Sequence, residues 1–168
     1  HADDGTVDLD IRIAIERAAQ DPVLAQVQVT YQGEVVGTER LTLAGNEGAT
    51  TVHVAEPRLW WPNGMGGHPL YGIRVILLDA SGRVLDERSL RIGLRRLELV
   101  RQPDQWGESF YFSCNGVPFF AKGANWIPDD VFAARMTPAR YRASLEDARQ
   151  ANMNMLRVWG GGIYEDDA

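Results

Sequence analysis

The first hundred residues alternate between apolar and polar positions with a period of two, which is the period of a half-buried β-strand. The opening stretch "VDLDIRIAI" places Asp8, Asp10 and Arg12 on one face and its apolar side chains on the other. Those apolar positions are Val7, Leu9, Ile11, Ile13 and Ile15. The next stretch, "VLAQVQVTY", repeats the alternation. Its apolar face consists of Val23, Ala25, Val27 and Val29. The pattern therefore predicts two strands before residue 32.

Further short strands follow at regular spacing, separated by turn residues. "QGE" separates "VLAQVQVTY" from "VVGTERLTL", "ATTVHVAEP" forms another strand, and Asp79-Ala80-Ser81-Gly82 interrupts a later apolar run as a hairpin turn. No helical period appears in this region. Short strands of this kind are typical of an antiparallel β-sandwich, and a length near one hundred residues fits the immunoglobulin-like type. We expect that domain over residues 1–99.

The pattern changes near Val100. Asn115-Gly116 lies between apolar runs and predicts a tight hairpin. Thr137-Pro138 predicts a helix start, with Thr as N-cap and Pro at the first helical position. The helix follows a strand in "FFAKGANW" and precedes a strand in "MLRVW". A strand–helix–strand unit pairs its strands in parallel and cannot bury its own faces. Residues 100–168 are therefore expected to be the first part of a larger α/β domain.

Composition excludes several classes of protein. The chain has 168 residues, 45% of them hydrophobic, and a formal net charge of −6. No apolar run approaches the roughly 20 residues of a membrane span, and no basic stripe indicates nucleic-acid binding. Cys114 is the only cysteine and the three histidines are scattered, so no internal disulfide, metal site or cofactor is expected. Compartment stays open, with a periplasmic, extracellular or lysosomal-type setting expected over a membrane one and a cytoplasmic one also possible.

Two residues of the last predicted strand are candidates for contact with a sugar. Trp159 lies at the C-terminal end of this strand and precedes three glycines, where its ring can stack on a pyranose and its N–H can donate to a hydroxyl. The alternative is a Trp packed under a tight turn. Arg157 alternates with Trp159, so both are expected on one side of the strand. Arg157 either orients a catalytic carboxylate or forms a structural ion pair, and the sequence does not decide between them.

Asn125 and Trp126 lie at the end of the other predicted strand, and Asn125 offers an amide that both donates and accepts. Asp129 and Asp130 follow them and are interpreted as turn-stabilising residues. The terminal carboxylates are adjacent on the chain, whereas glycoside hydrolysis needs two carboxyl groups that face each other across a bond. They are Glu165, Asp166 and Asp167, interpreted as a solvated charge run. None of these three is therefore expected to be catalytic.

Four segments together resemble the β-mannosidases of glycoside hydrolase family 2. They are "LWWPNGMGGHPLYGIRV", "RIGLRRLEL", "FSCNGVPFFAKGANWIPDDVF" and "ANMNMLRVWGGGIYEDD". The stretch "RVWGGG" is the specific part, since family relatives that act on other sugars have a His or an acidic residue there. The resemblance implies an immunoglobulin-like sandwich followed by the first β-α-β portion of a (β/α)8 barrel, within a longer parent chain.

The resemblance also implies a function. The parent would be a retaining exo-glycosidase that removes terminal β-D-mannose from mannosides, with its two catalytic Glu residues on later barrel strands. Trp159 would lie in the terminal mannose subsite, Arg157 would neighbour the nucleophile, and Asn125 and Trp126 would border the site. The expected partners are a mannose-terminated oligosaccharide and the remaining domains of the parent chain.

Two other functions stay open. One is a family-2 hydrolase for another terminal sugar, such as glucosamine, galactose or glucuronic acid, although "WGGG" argues against it. The other is a non-catalytic carbohydrate-binding sandwich, which would leave the strand–helix–strand unit without a role.

Overall fold

The computed structural model describes residues 5–18, 21–127 and 129–161. These residues form two compact units. The first unit comprises the described residues up to Trp60 together with His68–Arg95, and the second comprises Trp61–Gly67 together with the described residues from Arg96 onward. A short segment between two strands of the first unit therefore belongs to the second.

The first unit consists of two antiparallel sheets. Its strands are β1 (Val7–Ala14), β2 (Val23–Tyr31), β3 (Glu34–Leu43), β4 (Glu47–Val54), β5 (Tyr71–Leu78) and β6 (Val84–Ile92). One sheet has the order β3-β2-β5-β6 and the other pairs β1 with β4. No helix occurs among the described residues of this unit. The predicted sandwich-like, antiparallel arrangement is confirmed.

One hydrophobic core joins the two sheets, because alternate residues of each strand turn inward. The predicted apolar face of β2 is buried, and Val27 and Val29 have no exposed surface. Val7 and Ile13 of β1 are buried, while Asp8, Asp10 and Arg12 between them are exposed. The core comprises Val7, Ile13, Ala25, Val27, Val29, Leu43, Val52, Val54, Tyr71, Ile73 and Leu94. The period of two thus identified the inward face correctly.

The predicted turns of the first unit also form. Gln32 and Gly33 adopt φ values of 51° and 88° between β2 and β3, as a two-residue hairpin turn with right-handed strand twist requires. The Asp79 carboxylate accepts hydrogen bonds from the Ser81 hydroxyl at 2.6 Å and from the Ser81 and Arg83 backbone N–H groups at 2.9 and 3.0 Å. The Ser81 hydroxyl, with these N–H groups, lowers the pKa of Asp79 to about 2.

The second unit contains short antiparallel ladders and one parallel pair. Its elements are β7 (Leu97–Val100), β8 (Pro103–Asp104), β9 (Gly107–Glu108), β10 (Tyr111–Cys114), β11 (Val117–Phe119), β12 (Gly123–Trp126), α1 (Pro138–Gln150) and β13 (Met155–Val158). β10 pairs with β7 and β11, β8 pairs with β9, and β12 pairs in parallel with β13. The Asn115-Gly116 hairpin and the parallel pairing across α1 are confirmed.

α1 begins and ends with side-chain and backbone caps. The Thr137 hydroxyl accepts from the Arg140 N–H at 3.4 Å and Pro138 occupies the first helical position, as predicted. At the other end, Asn152 has a φ of 57°, and the Met153 N–H donates to the Ala148 carbonyl at 3.0 Å. This is the Schellman arrangement that ends many helices.

The predicted strand in "FFAKGANW" forms, but it is shorter than that stretch. The stretch "FFAKGANW" is not one strand, because Phe119 ends β11 and β12 begins at Gly123. α1 ends at Gln150, and the left-handed backbone at Asn152 terminates it. The expected domain boundary after residue 99 stays a prediction. β7 crosses that position, and the compact units divide after Arg95.

Candidate functional site

Asn125 and Arg157 lie side by side on the parallel strands β12 and β13. They are direct register partners, and Arg157 Nη1 donates to Asn125 Oδ1 at 2.9 Å. Both residues are exposed. Because its oxygen is engaged by Arg157, the amide of Asn125 presents Nδ2 as a donor, and no described residue accepts from it. The structure thus brings together two residues that the sequence placed on separate strands.

The bond to Asn125 uses one of the five N–H donors of the Arg157 guanidinium. No carboxylate among the described residues forms an ion pair with it, so a structural ion pair has no support in this part of the chain. A guanidinium offers five N–H donors in a planar fork and suits carboxylates and neighbouring hydroxyls. With the Asn125 Nδ2, it forms a donor-rich, positively charged patch.

Trp159 continues the strand pairing and packs on the glycine turn. Its backbone N–H donates to the Trp126 carbonyl at 3.0 Å, one residue beyond β13. Its indole lies against Gly161, where an added Cβ would collide with the six-membered ring. The residue remains 46% exposed. The glycine therefore seats the indole on the turn while leaving part of the ring open to solvent.

Trp126 lies on the other side of β12 from Asn125, since neighbouring side chains alternate along a strand. Its ring centroid is 6.4 Å from that of Tyr141 on α1, with the planes inclined by 35°. Trp126 thus packs against the helix, apart from the Asn125–Arg157 pair.

Asp129 and Asp130 tie the loop after β12 to α1 and so have the turn-stabilising role expected of them. Asp130 accepts from the Phe132 N–H at 3.0 Å and from Arg140 Nη1 at 3.1 Å. The Phe132 N–H and then the Arg140 guanidinium lower the pKa of this carboxyl. Asp129 accepts from the Ser144 hydroxyl at 2.6 Å. Glu165, Asp166 and Asp167 lie outside the described residues.

Asn154 supports the site but was not recognised from the sequence. Its Oδ1 accepts from the Lys122 N–H at 2.8 Å, and its Nδ2 donates to the Phe120 carbonyl at 3.1 Å. Its own N–H donates to the Lys122 carbonyl at 2.8 Å. These bonds align the segment before β12 with the start of β13. An asparagine just before a strand was the available signal, but its partner more than thirty residues away was not.

Among the described residues of the first unit, no pair of polar side chains at adjoining strand ends resembles Asn125 and Arg157. A depression of about 310 Å³ is lined by Pro22, Leu24, Thr42, Asp79, Ala80 and Gly82. The Asp79 carboxylate in this depression already accepts hydrogen bonds from Ser81 and Arg83 of its own turn. Within the described residues, no group of three His, Cys, Asp or Glu side chains is arranged to hold a metal ion. No described helix combines the length and apolar character needed to cross a bilayer.

Comparison with known proteins defines the class. Residues 1–95 match the model of glycosyl hydrolases family 2, and the chain belongs to this family. It is 44% identical over 144 residues to β-mannosidase B of Emericella nidulans, covering 86% of this chain and 17% of that protein. It is also 48% identical over 110 residues to β-mannosidase of Bos taurus, covering 64% and 12%.

Solved structures agree with that class. The crystal structure of β-D-mannosidase from Dictyoglomus thermophilum superposes with a TM-score of 0.87 at 41% identity, covering 97% of this chain and 20% of that one. Exo-chitosanase CsxA from Amycolatopsis orientalis superposes with a TM-score of 0.73 at 22% identity, which shows the shared fold alone. The chain spans about a fifth or less of the length of these relatives. The resemblance inferred from the four segments is confirmed.

Proposed function

We propose that the full-length protein containing this chain is a retaining exo-β-mannosidase that removes terminal β-D-mannose from mannosides. The observation that carries the proposal is the Asn125–Arg157 pair beside Trp159, at the carboxyl ends of two parallel strands. Ligands of α/β folds bind at that end of the strands. The relatives named β-mannosidase support mannose as the sugar.

In this proposal β12, α1 and β13 are the first β-α-β unit of a (β/α)8 barrel, preceded by an immunoglobulin-like sandwich. Exposed apolar side chains of the second unit support this proposal, because further parts of a barrel would cover them. Leu145 of α1 is 52% exposed, and Phe120 and Phe132 are 81% and 63% exposed. A barrel strand is normally covered by helices outside and by side chains inside. The remaining domains of the parent chain are the proposed partners of these surfaces.

Each site residue then has a distinct role. Trp159 supplies a ring face and an indole N–H for the terminal mannose, and Asn125 donates from Nδ2 to a sugar hydroxyl. Arg157 holds Asn125 and directs its remaining donors toward the carboxylate that attacks the anomeric carbon. Trp126 was expected to contact substrate, which stays a prediction. Its contact with Tyr141 supports a role in holding α1 against β12.

The reaction itself needs two carboxyl groups roughly 5–5.5 Å apart, one as nucleophile and one as acid and base. We propose that both come from chain beyond Ala168. The mannose subsite formed here would bind the sugar through two steps. The nucleophile first displaces the aglycone, which leaves with the proton of the general acid, and forms the glycosyl-enzyme. A water that gives its proton to the same residue, now acting as base, then attacks the anomeric carbon and releases mannose and the free nucleophile. No cofactor takes part in this mechanism.

The test compares the full-length protein with the 168-residue chain. Both are assayed with aryl β-mannoside, β-glucosaminide, β-galactoside and β-glucuronide, and the product anomer is followed by NMR. We expect the full-length protein to hydrolyse the mannoside in preference to the others with retention of configuration. The 168-residue chain is expected to show no turnover.

Four results would contradict the proposal. Preference for another sugar would favour a different family-2 hydrolase, and an inverted product would exclude the covalent mechanism. Mannoside binding without hydrolysis by the full-length protein would favour a carbohydrate-binding module. Turnover by the 168-residue chain, lost in Glu165→Gln, would place the chemistry within this chain.

A further inference from the structure

Residues 61–67 form a closed turn that belongs to the second unit. The Met65 N–H donates to the Pro62 carbonyl at 3.0 Å, and Gly64 has the positive φ, 81°, that the third position of a type II turn requires. The Trp61 N–H donates to the Gly67 carbonyl at 3.0 Å and closes the base of the turn. Asn63 therefore projects from a rigid support.

The side chain of Asn63 caps the end of α1. Its Nδ2 donates to the carbonyl oxygens of Arg149 and Met153, each at 3.0 Å. An amide nitrogen has two hydrogens, and both are used here. The last carbonyls of a helix lack partners within the helix, and Arg149 is in its last turn. The cap joins positions 86 and 90 residues apart in the chain.

The capped segment leads directly into the candidate site. Met153 is followed by Asn154, whose side chain binds the segment before β12, and then by β13 with Arg157. The link between α1 and β13 is therefore held from one side by Asn63 and from the other by the Asn154 contacts. Releasing Asn63 would leave the entry to β13 held by the backbone bonds that end α1, by Asn154 and by the strand pairing, without a side chain that ties Met153 to the 61–67 turn.

We propose that Asn63 is a positioning residue that sets the placement of Arg157 against Asn125. Asn63 touches neither of them and acts through the backbone at Met153. The structural part of this inference stands on the hydrogen bonds alone, while its consequence for catalysis rests on the proposed function.

The structural part is tested in the full-length protein by hydrogen exchange and mass spectrometry on peptides covering 151–161, a measurement that does not depend on mannoside cleavage. Asn63→Asp keeps the shape of the side chain but removes both donors and faces a carboxylate toward two carbonyl oxygens. Asn63→Ala removes the donors without adding charge, in case the first variant does not fold. We expect exchange in 151–161 to quicken roughly tenfold, while peptides of the first unit keep their rates.

The matched control is Asn46→Ala. Asn46 accepts a hydrogen bond from Arg17 Nε in the first unit and has no contact with α1. Exchange in 151–161 should stay at the unsubstituted rate in this variant. Unchanged exchange in both Asn63 variants would overturn the proposal, whatever the enzyme does.

The catalytic part is tested by mannoside hydrolysis in the full-length protein, with rates divided by the concentration of titrated active sites. We expect Asn63→Ala to lower kcat roughly tenfold with little change in KM, because small displacements of a reacting geometry slow chemistry. A lower Tm with kcat unchanged would make Asn63 a stabilising cap only and overturn the proposal. If the unsubstituted protein does not cleave mannosides, the proposed function fails and the exchange comparison alone decides the role of Asn63.

Discussion

Gly123 is the position where the smallest substitution should disturb the candidate site most. It begins β12 opposite Met155, the first residue of β13. A Cβ at Gly123 would overlap the Met155 carbonyl oxygen and lie 2.8 Å from its carbonyl carbon, whereas ordinary contact begins near 3.4 Å. Both partners are backbone, so no side-chain rotation relieves the overlap. Gly123→Ala must therefore push the two strands apart.

The structure sets the size of the effect. Separation by about 1 Å takes the Met155 N–H, now 3.3 Å from the Lys122 carbonyl, beyond hydrogen-bond distance and strains the adjacent bonds of Asn154. Two or three lost hydrogen bonds cost about 1 kcal/mol each. Replacing Gly by Ala also lowers the conformational entropy of the unfolded chain, which stabilises the folded state by about 0.4–1 kcal/mol. The expected destabilisation of the β12–β13 pair is therefore roughly 1–3 kcal/mol.

Hydrogen exchange at the Trp159 amide, which donates to the Trp126 carbonyl, reports this pairing directly. If exchange occurs by local opening, it should quicken roughly 5- to 150-fold in Gly123→Ala. Gly160→Ala is the matched control, because the same added Cβ meets no atom within 4 Å. Exchange in Gly123→Ala within a factor of two of this control would refute the reasoning.

Three other substitutions test separate features. In the full-length protein, Trp159→Ala should lower kcat/KM on the order of a hundredfold with Tm nearly unchanged, whereas normal kinetics with a collapsed Tm would make Trp159 a core residue. Gly161→Ala should displace the Trp159 indole and lower kcat/KM, while Gly160→Ala should not, and equal kinetics in the two variants would contradict the seating of the ring. Asp79 stabilises the first unit fully above its ordinary pKa of 3.8, and this contribution is lost as pH falls toward its folded value of about 2. In Asp79→Asn the free energy of unfolding, measured by urea titration at several pH values, should therefore fall less steeply as pH decreases over that range. A pH dependence equal to that of the unsubstituted chain would contradict this.

Local patterns predicted most of the fold because their causes are local. The period of two in β1 and β2 reflects one buried face, and the Asn115-Gly116 turn and the Thr137 cap depend on a few adjacent residues. The division of "FFAKGANW" could not be predicted this way. Apolar residues lie on both sides of Lys122 and Gly123, so the stretch alone does not show where a strand begins. Pairing with β13 begins at Gly123, where Asn154, distant in sequence, binds the preceding segment.

The candidate site was predicted in part for the same reason. Asn125, Arg157 and Trp159 were chosen as candidates because strand ends and glycine turns are visible in sequence, and their role in binding stays a prediction. The hydrogen bond between Asn125 and Arg157 depends on the register of β12 and β13, which alternation alone does not specify. The cap by Asn63 depends on a turn that is separated from α1 by two strands of the first unit and the ladders that follow.

The acceptors of Asn63 are main-chain oxygens, and this has a consequence for how such proteins can be recombined. A chimera with a single crossover after Arg95 takes the 61–67 turn from one relative and α1 from another. Because every residue presents the same carbonyl group, the side chains at 149 and 153 can differ freely between the donors. The cap itself should therefore survive such an exchange wherever the first donor keeps an asparagine at position 63.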